Sequence, residues 1–305
     1  MNRSMVLPAL AIWTLAFSAT AADSGKPQTT AQIVESATAS DWRRPDPANT
    51  LYMDLATGRV IIELAPRFAP KHVANIKQLV GEKFFDGLPV MRVQDNYVVQ
   101  WGDVDQTRKT EAAQRKLPDE SVVSLGAGLP FVKLPDADGY APETGWLDGF
   151  PTGIDPRPPG QAWLTHCYGI VGVGRDSPPD TGAGSELYTV IGQAPRHLDR
   201  NIVTVGRILR GMELLSSLPR GTGALGFYEK SEQRTPIRSI RLAADLPPAE
   251  RTAIEVLRTD TPLWSRFVES RRNRREEWFL TPANHIDVCN ITIPTRDVPA
   301  PASSH

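Results

Sequence analysis

Apolar and polar positions first settle into a regular pattern near residue 50. LYMDL and VIIEL read as strands, and the ATGR between them as a tight hairpin. Pro66 and Pro70 bracket the start of the next element. In KHVANIKQLVGEKFF the residues Val73, Ile76, Leu79 and Val80 recur at helical spacing and Gly81 ends the run, which predicts a helix. LPVMRV and YVVQW then flank the polar turn QDN as a second hairpin. CYGIVGVG, ELYTVIG, IVTVGRI and IRSIRLA are further strand signals, with a short helix, GMELLSSL, and a Gly-rich loop between the last two. No internal repeat is visible.

Between Asp103 and Thr165 the regular pattern fades. Residues 126–160 hold 14 Gly plus Pro in 35 positions, which argues against long helices or central strands. Phe131, Tyr140, Trp146 and Phe150 punctuate the stretch, and a disordered linker would have few aromatics. An ordered, irregular insertion over 103–165 is expected, packed against the main fold. Residues 22–49 read as a polar leader held loosely on the outside, with one helical stretch, TAQIVESA. After Pro247 and Pro248 the chain becomes a helical extension, 248–305. TAIEVL and PLWSRFVESRRNRREEWFL look helical there, and DVCNITI looks like a strand. Trp264, Phe267, Val268 and Trp278 are its expected anchors, and RRNRREE its solvated helix face.

Charge and cysteine usage narrow the class. The 305 residues carry a formal net charge of -1, which gives no reason to expect nucleic acid or an anionic membrane as partner. The first residues read as an export signal. Arg3 precedes the short apolar run VLPALAIWTLAF, and Ala19-Thr20-Ala21 supplies small residues for cleavage. About 12 apolar residues interrupted by Pro8 are too few to span a membrane core of ~30 Å, and no cysteine follows for lipid attachment. A signal over 1–21 and a periplasmic or secreted location are therefore expected. Cys167 and Cys289 can pair in an oxidising compartment or stay as buried thiols; both fit the sequence. Cys167 follows His166 directly, but neighbours on a strand point to opposite faces, so the two are poorly placed as a thiol nucleophile and base.

Two polar residues interrupt the second hairpin: Arg92 within LPVMRV and Gln100 within YVVQW. Apolar strands rarely take an arginine without a partner or a task. Around them, APKHVANI, FFDGLPVMRV, YVVQWGD, GSELYTVIG, HLD and VTVGRILRGMELL occur in an order that resembles the cyclophilin family of peptidyl-prolyl isomerases, over residues 50–102 and 168–245. The resemblance implies a mainly β fold: an eight-stranded antiparallel β-barrel capped by two helices, with the active groove on its outer surface. It implies isomerisation of X-Pro bonds without a cofactor or metal, on proline-containing polypeptides, by a monomer. Arg92 matches the family's catalytic arginine, and Gln100 the glutamine that places the substrate carbonyl. Tyr97, Val98, Tyr188 and Leu198 fall at the proline pocket; Tyr97 and Tyr188 stand where phenylalanine is usual. Gly174, Arg175 and Asp176 fall where the family lays backbone against the peptide.

The departures from the family pattern are specific. Met91 and Ile202 replace histidines, and His197 replaces a tryptophan, which predicts weak cyclosporin binding. Glu186 replaces a glutamine, and its carboxylate is expected to pair with Arg175 or with Arg92. Tyr97 and Gln100 are an odd number of residues apart, so a bulge or strong twist near Tyr97 is expected if both serve one site. GIVGVG lacks the spacing of a dinucleotide loop, the five histidines show no metal-ligand spacing, and GSELY is not a nucleophile elbow. Two function classes follow: an isomerase acting on exported proteins, and a proline-peptide binding or chaperone module with little turnover. Retained Arg92 and Gln100 favour the first.

Overall fold

The first hairpin forms as β1 (Thr50–Leu55) and β2 (Gly58–Leu64), paired antiparallel with Leu55 opposite Gly58 at the turn. The structure is a computed structural model describing residues 28–126 and 128–298; the expected export signal lies outside them. Seven more strands join the same sheet: β3 (Pro89–Val93), β4 (Val98–Gly102), β5 (Ile170–Val173), β6 (Glu186–Val190), β7 (Thr204–Arg210), β8 (Thr235–Pro236) and β9 (Ser239–Leu242). Their spatial order is β8-β3-β4-β6-β5-β7-β2-β1-β9. The two outermost strands are neighbours in sequence. Between them, Ile237 N donates to Leu88 O at 2.9 Å and Arg238 N to Asp54 O at 2.8 Å. One stretch, 235–242, thus pairs with β3 through its first half and with β1 through its second. Counted as one strand, it brings the curled sheet to the eight strands that the resemblance implies.

Alternation along the strands sorts side chains into a core and an outer face. Val99 and Trp101 of β4 enter the core with Met53, Val60, Val171 and Val205, whereas Val98 belongs to a separate outer cluster with Tyr188 and Val190. Four α-helices occur among the described residues: α1 (Thr30–Glu35), α2 (Pro70–Gly81), α3 (Met212–Ser216) and α4 (Pro262–Arg272). The predicted spacing of α2 holds, because Val73, Ile76, Leu79 and Val80 all pack into the core, and Leu215 of α3 joins them. None of these helices is long and apolar enough to cross a membrane.

The flanking segments differ from their sequence reading in several places. The insertion contains a five-stranded antiparallel sheet, built around Glu143–Leu147, Phe150–Asp155 and Gln161–Leu164. Its glycines broke the expected alternation, yet they serve close packing: a Cβ on Gly153 would lie 2.6 Å from the Trp163 ring. TAIEVL, which looked helical, supplies the strand Ile254–Leu257, paired with Trp42–Arg43 and Thr295–Asp297. DVCNITI forms a single 3-10 turn at Val288–Asn290 instead of a strand. The leader is not loose, since Ile33 and Trp42 are buried in a second core with Trp146 of the insertion and Trp264, Phe267 and Val268 of α4. Trp146 meets Trp264 edge to face, with centroids 4.9 Å apart. Trp278 is not an anchor: α4 stops at Asn273, and the indole is 83% exposed. In the arginine run, Arg272 leaves the helix face to bind Asp136 of the insertion through two hydrogen bonds. A disulfide joins Cys167 to Cys289 across 122 residues, so the extension is tied covalently to the barrel.

Candidate active site

β3 carries one residue more than β4 across the pairing. Val90 faces Trp101 but Arg92 faces Gln100, leaving Met91 as the extra residue of a bulge. A regular ladder would set Arg92 opposite Val99, whose side chain is in the core. The bulge therefore turns Arg92 to the outer face, directly across from Gln100. The row continues sideways, with Gln100 opposite Tyr188 on β6 and Tyr188 opposite Gly172 on β5. Glycine is required there, because a Cβ on residue 172 would lie 2.3 Å from the tyrosine ring. The irregularity expected near Tyr97 is thus found in the facing strand. Tyr97 precedes β4, just after Asn96 at φ 50°, so the pleat does not set its direction.

Arg92, Gln100, Tyr97 and Tyr188 line one groove of about 760 Å³. Its apolar pocket is formed by Tyr97, Val98, Tyr188 and Leu198, with Ile202 beside them. Gly174, Arg175, Asp176 and Glu186 line the polar side. His197 does not join: on the one-turn helix Arg196–Leu198, Leu198 faces the groove while His197 is exposed outside it.

The Arg92 guanidinium is held at three of its nitrogens. Nε donates to Leu225 O at 2.7 Å, Nη1 to Gln100 Oε1 at 3.1 Å, and Nη2 to Gln94 Oε1. The rings of Tyr97 and Phe227 flank it, 5.6 and 5.4 Å from the guanidinium carbon. Burial pulls Arg92 below its ordinary pKa, with Tyr97 opposing, but a guanidinium stays protonated. Leu225 and Phe227 come from the Gly-rich loop after α3, which sequence reading passed over. Its one signal was an apolar GALGF in a loop. Asp103, Arg108 and Gln114 at the start of the insertion line the far end of the groove.

Glu186 pairs with neither Arg92 nor Arg175. It accepts from Gln100 Nε2 at 2.7 Å, while Arg175 donates to the carbonyls of Asp176 and Asn201. The carboxylate thereby fixes the Gln100 amide, nitrogen toward Glu186 and oxygen toward Arg92. Burial pushes Glu186 above the usual carboxylate range, helped by Asp176, Asp103 and Asp180; the Gln100 bond acts the other way.

A curled antiparallel barrel with a fixed cation beside an apolar pocket on its outer face defines a peptide-groove architecture. The chain belongs to the cyclophilin family: the sequence model of the Cyclophilin type peptidyl-prolyl cis-trans isomerase/CLD family matches residues 50–242. A probable peptidyl-prolyl cis-trans isomerase of Brucella suis is 27% identical over 179 residues, 59% of this chain and 76% of that protein. The Brucella abortus protein described in the same words shows the same identity and coverage. Among solved structures, cyclophilin AquaCyp293 from Hirschia baltica superposes with a TM-score of 0.67 at 27% identity, covering 84% of this chain and 92% of that one. The activity is therefore peptidyl-prolyl cis-trans isomerisation.

Proposed function

We propose that the enzyme isomerises X-Pro bonds in exported polypeptides, in the periplasm or outside the cell, with Arg92 stabilising the twisted prolyl amide. The observation that carries the mechanism is the bulge at Met91, which sets a three-fold-tethered guanidinium beside the apolar pocket. Rotation about an X-Pro bond faces a barrier near ~20 kcal/mol because the amide is resonance-stabilised. No covalent bond breaks, so no nucleophile is needed. The prolyl nitrogen regains a lone pair only when the amide twists, and a fixed donor aimed at it favours the twisted state over the planar one. Gln100 Nε2 is committed to Glu186, so the amide cannot turn and release Arg92. The pocket of Tyr97, Val98, Tyr188 and Leu198 holds the ring and excludes water. Export is supported by the Cys167–Cys289 disulfide, a bond that persists in oxidising compartments, and by the signal-like first 21 residues.

A protease-coupled assay on a proline tetrapeptide tests the activity. Substoichiometric protein accelerates the slow cis phase, which takes about 10–100 s uncatalysed; an unchanged slow phase would sink the reading. Glu186 adds a pH signature. When its carboxyl takes up a proton, the charge-assisted bond from Gln100 weakens to a neutral one and holds the amide less firmly, so kcat/KM falls on the acid side. Glu186→Gln keeps an acceptor for Gln100 and flattens that limb; superimposable pH profiles would count against the role. Stability follows with its own sign. The folded-state pKa lies above the unfolded one, so Glu186 weakens the fold as pH rises between them. The Gln variant is then more resistant to urea at neutral pH, and the gain disappears below the unfolded carboxylate pKa.

A further inference from the structure

A buried tyrosine hydroxyl must find a partner, and Tyr188 finds one below the pocket. Its Oη lies 2.9 Å from His166 Nε2. His166 Nδ1 lies 2.9 Å from Asp199 Oδ1, which also accepts the His166 backbone N–H at 2.9 Å. The other carboxylate oxygen accepts from Arg196 Nε at 2.6 Å and Trp163 Nε1 at 3.3 Å. Arg196 then forks onto both oxygens of Asp138 in the insertion, at 2.9 Å each. All the side chains of this chain are buried: His166 shows no exposure, and Arg196, Asp199 and Asp138 show 2 to 3%.

Charge fixes the direction of the proton donors. Burial alone would raise Asp199, but the bond from His166 and the charge of Arg196 outweigh it and hold the carboxyl below its usual range. An ionised carboxylate only accepts, so His166 presents an N–H on Nδ1, and in the neutral ring this tautomer leaves Nε2 to accept from the phenol. Burial pushes Tyr188 well above the ordinary phenol pKa, so the hydroxyl stays a neutral donor.

We propose that His166 and Asp199 are positioning residues for prolyl isomerisation, which clamp the Tyr188 hydroxyl from beneath and so fix the ring that floors the proline pocket. A ring tethered only by packing can swing about its Cα–Cβ bond; one bonded at its far end cannot do so without breaking that bond. The clamp reaches the added parts of the chain as well. Asp138 belongs to the insertion, Cys167 follows His166, and Asp287, 3.9 Å from Arg196, caps the backbone of Cys289 in the extension. The insertion and extension thus act on the pocket from below. This inference rests on the Proposed function reading for its link to turnover.

Tyr188→Phe, which deletes one oxygen, tests it. A lost hydrogen bond of ordinary strength predicts a fall in kcat/KM of roughly two- to tenfold, with weaker binding of a proline peptide, measured well below the unfolding temperature. His166→Leu produces the same loss, and adding Tyr188→Phe to it costs nothing further, because both remove one tether. His166→Gln, which retains an acceptor near the Nε2 position, recovers part of the loss. Wild-type kcat, KM and peptide Kd in Tyr188→Phe would overturn the proposal, as would losses that simply multiply in the double variant. If the wild-type protein shows no turnover, the isomerase reading fails, and peptide Kd across the same four variants still decides the clamp.

Discussion

Arg92→Ala lowers kcat/KM for a proline peptide roughly 10- to 100-fold, the range of one charge-assisted hydrogen bond of about 1.5–3 kcal/mol. The loss stops short of abolition. A catalyst working ~10⁵-fold needs about 7 kcal/mol, more than one arginine supplies, and the pocket of Tyr97, Val98, Tyr188 and Leu198 remains in the variant. Arg92→Lys recovers little. An ammonium is a point charge on a flexible stem, whereas the guanidinium here is braced at once by Leu225 O, Gln100 and Gln94. Stopped protease-coupled assays on the three proteins measure this, and near-equal rates for lysine and arginine would show that charge alone suffices.

The largest effect on stability belongs to the disulfide. Closing a chain segment of 122 residues removes unfolded-state entropy worth about 4–5 kcal/mol in the chain-entropy account. The double variant Cys167→Ala/Cys289→Ala therefore unfolds at a temperature lower by roughly 6–9 °C, and reductant lowers the wild-type protein toward the same value. The bond also lies within the second core, beside Ile170, Val288 and Trp264, so its loss loosens the packing of leader, insertion and extension together. Thermal unfolding followed by circular dichroism, with and without reductant, reads the effect. Equal transition temperatures in all three conditions would show that the core alone holds the extension in place.

The barrel was legible because its strands and α2 repeat at their own periods, and Arg92 because it breaks one of those periods. What stayed hidden was whatever depends on register between distant segments. The bulge at Met91 leaves no mark in LPVMRV, yet it decides whether Arg92 faces Gln100 or Val99. Glu186 showed as an exchanged residue, but its bond to Gln100 follows from pairing β4 with β6. The insertion sheet was obscured by glycines such as Gly153, which read as breakers until the Trp163 ring lies over them. His166 read only as the neighbour of Cys167 and as one of five histidines without metal-ligand spacing. Its meaning lies in Tyr188, whose extra hydroxyl in a buried position was the one advance sign that a partner had to exist.

The central claim, that Arg92 acts on the twisted amide, is tested most directly by separating turnover from binding. Exchange spectroscopy on a bound proline peptide gives the on-enzyme cis–trans rate, and titration gives Kd, for wild type and Arg92→Ala. The account predicts that the on-enzyme rate falls by roughly 10- to 100-fold while Kd changes little, the mark of an interaction made only in the transition state. A weakened Kd with an unchanged on-enzyme rate would place Arg92 in ground-state binding and contradict it.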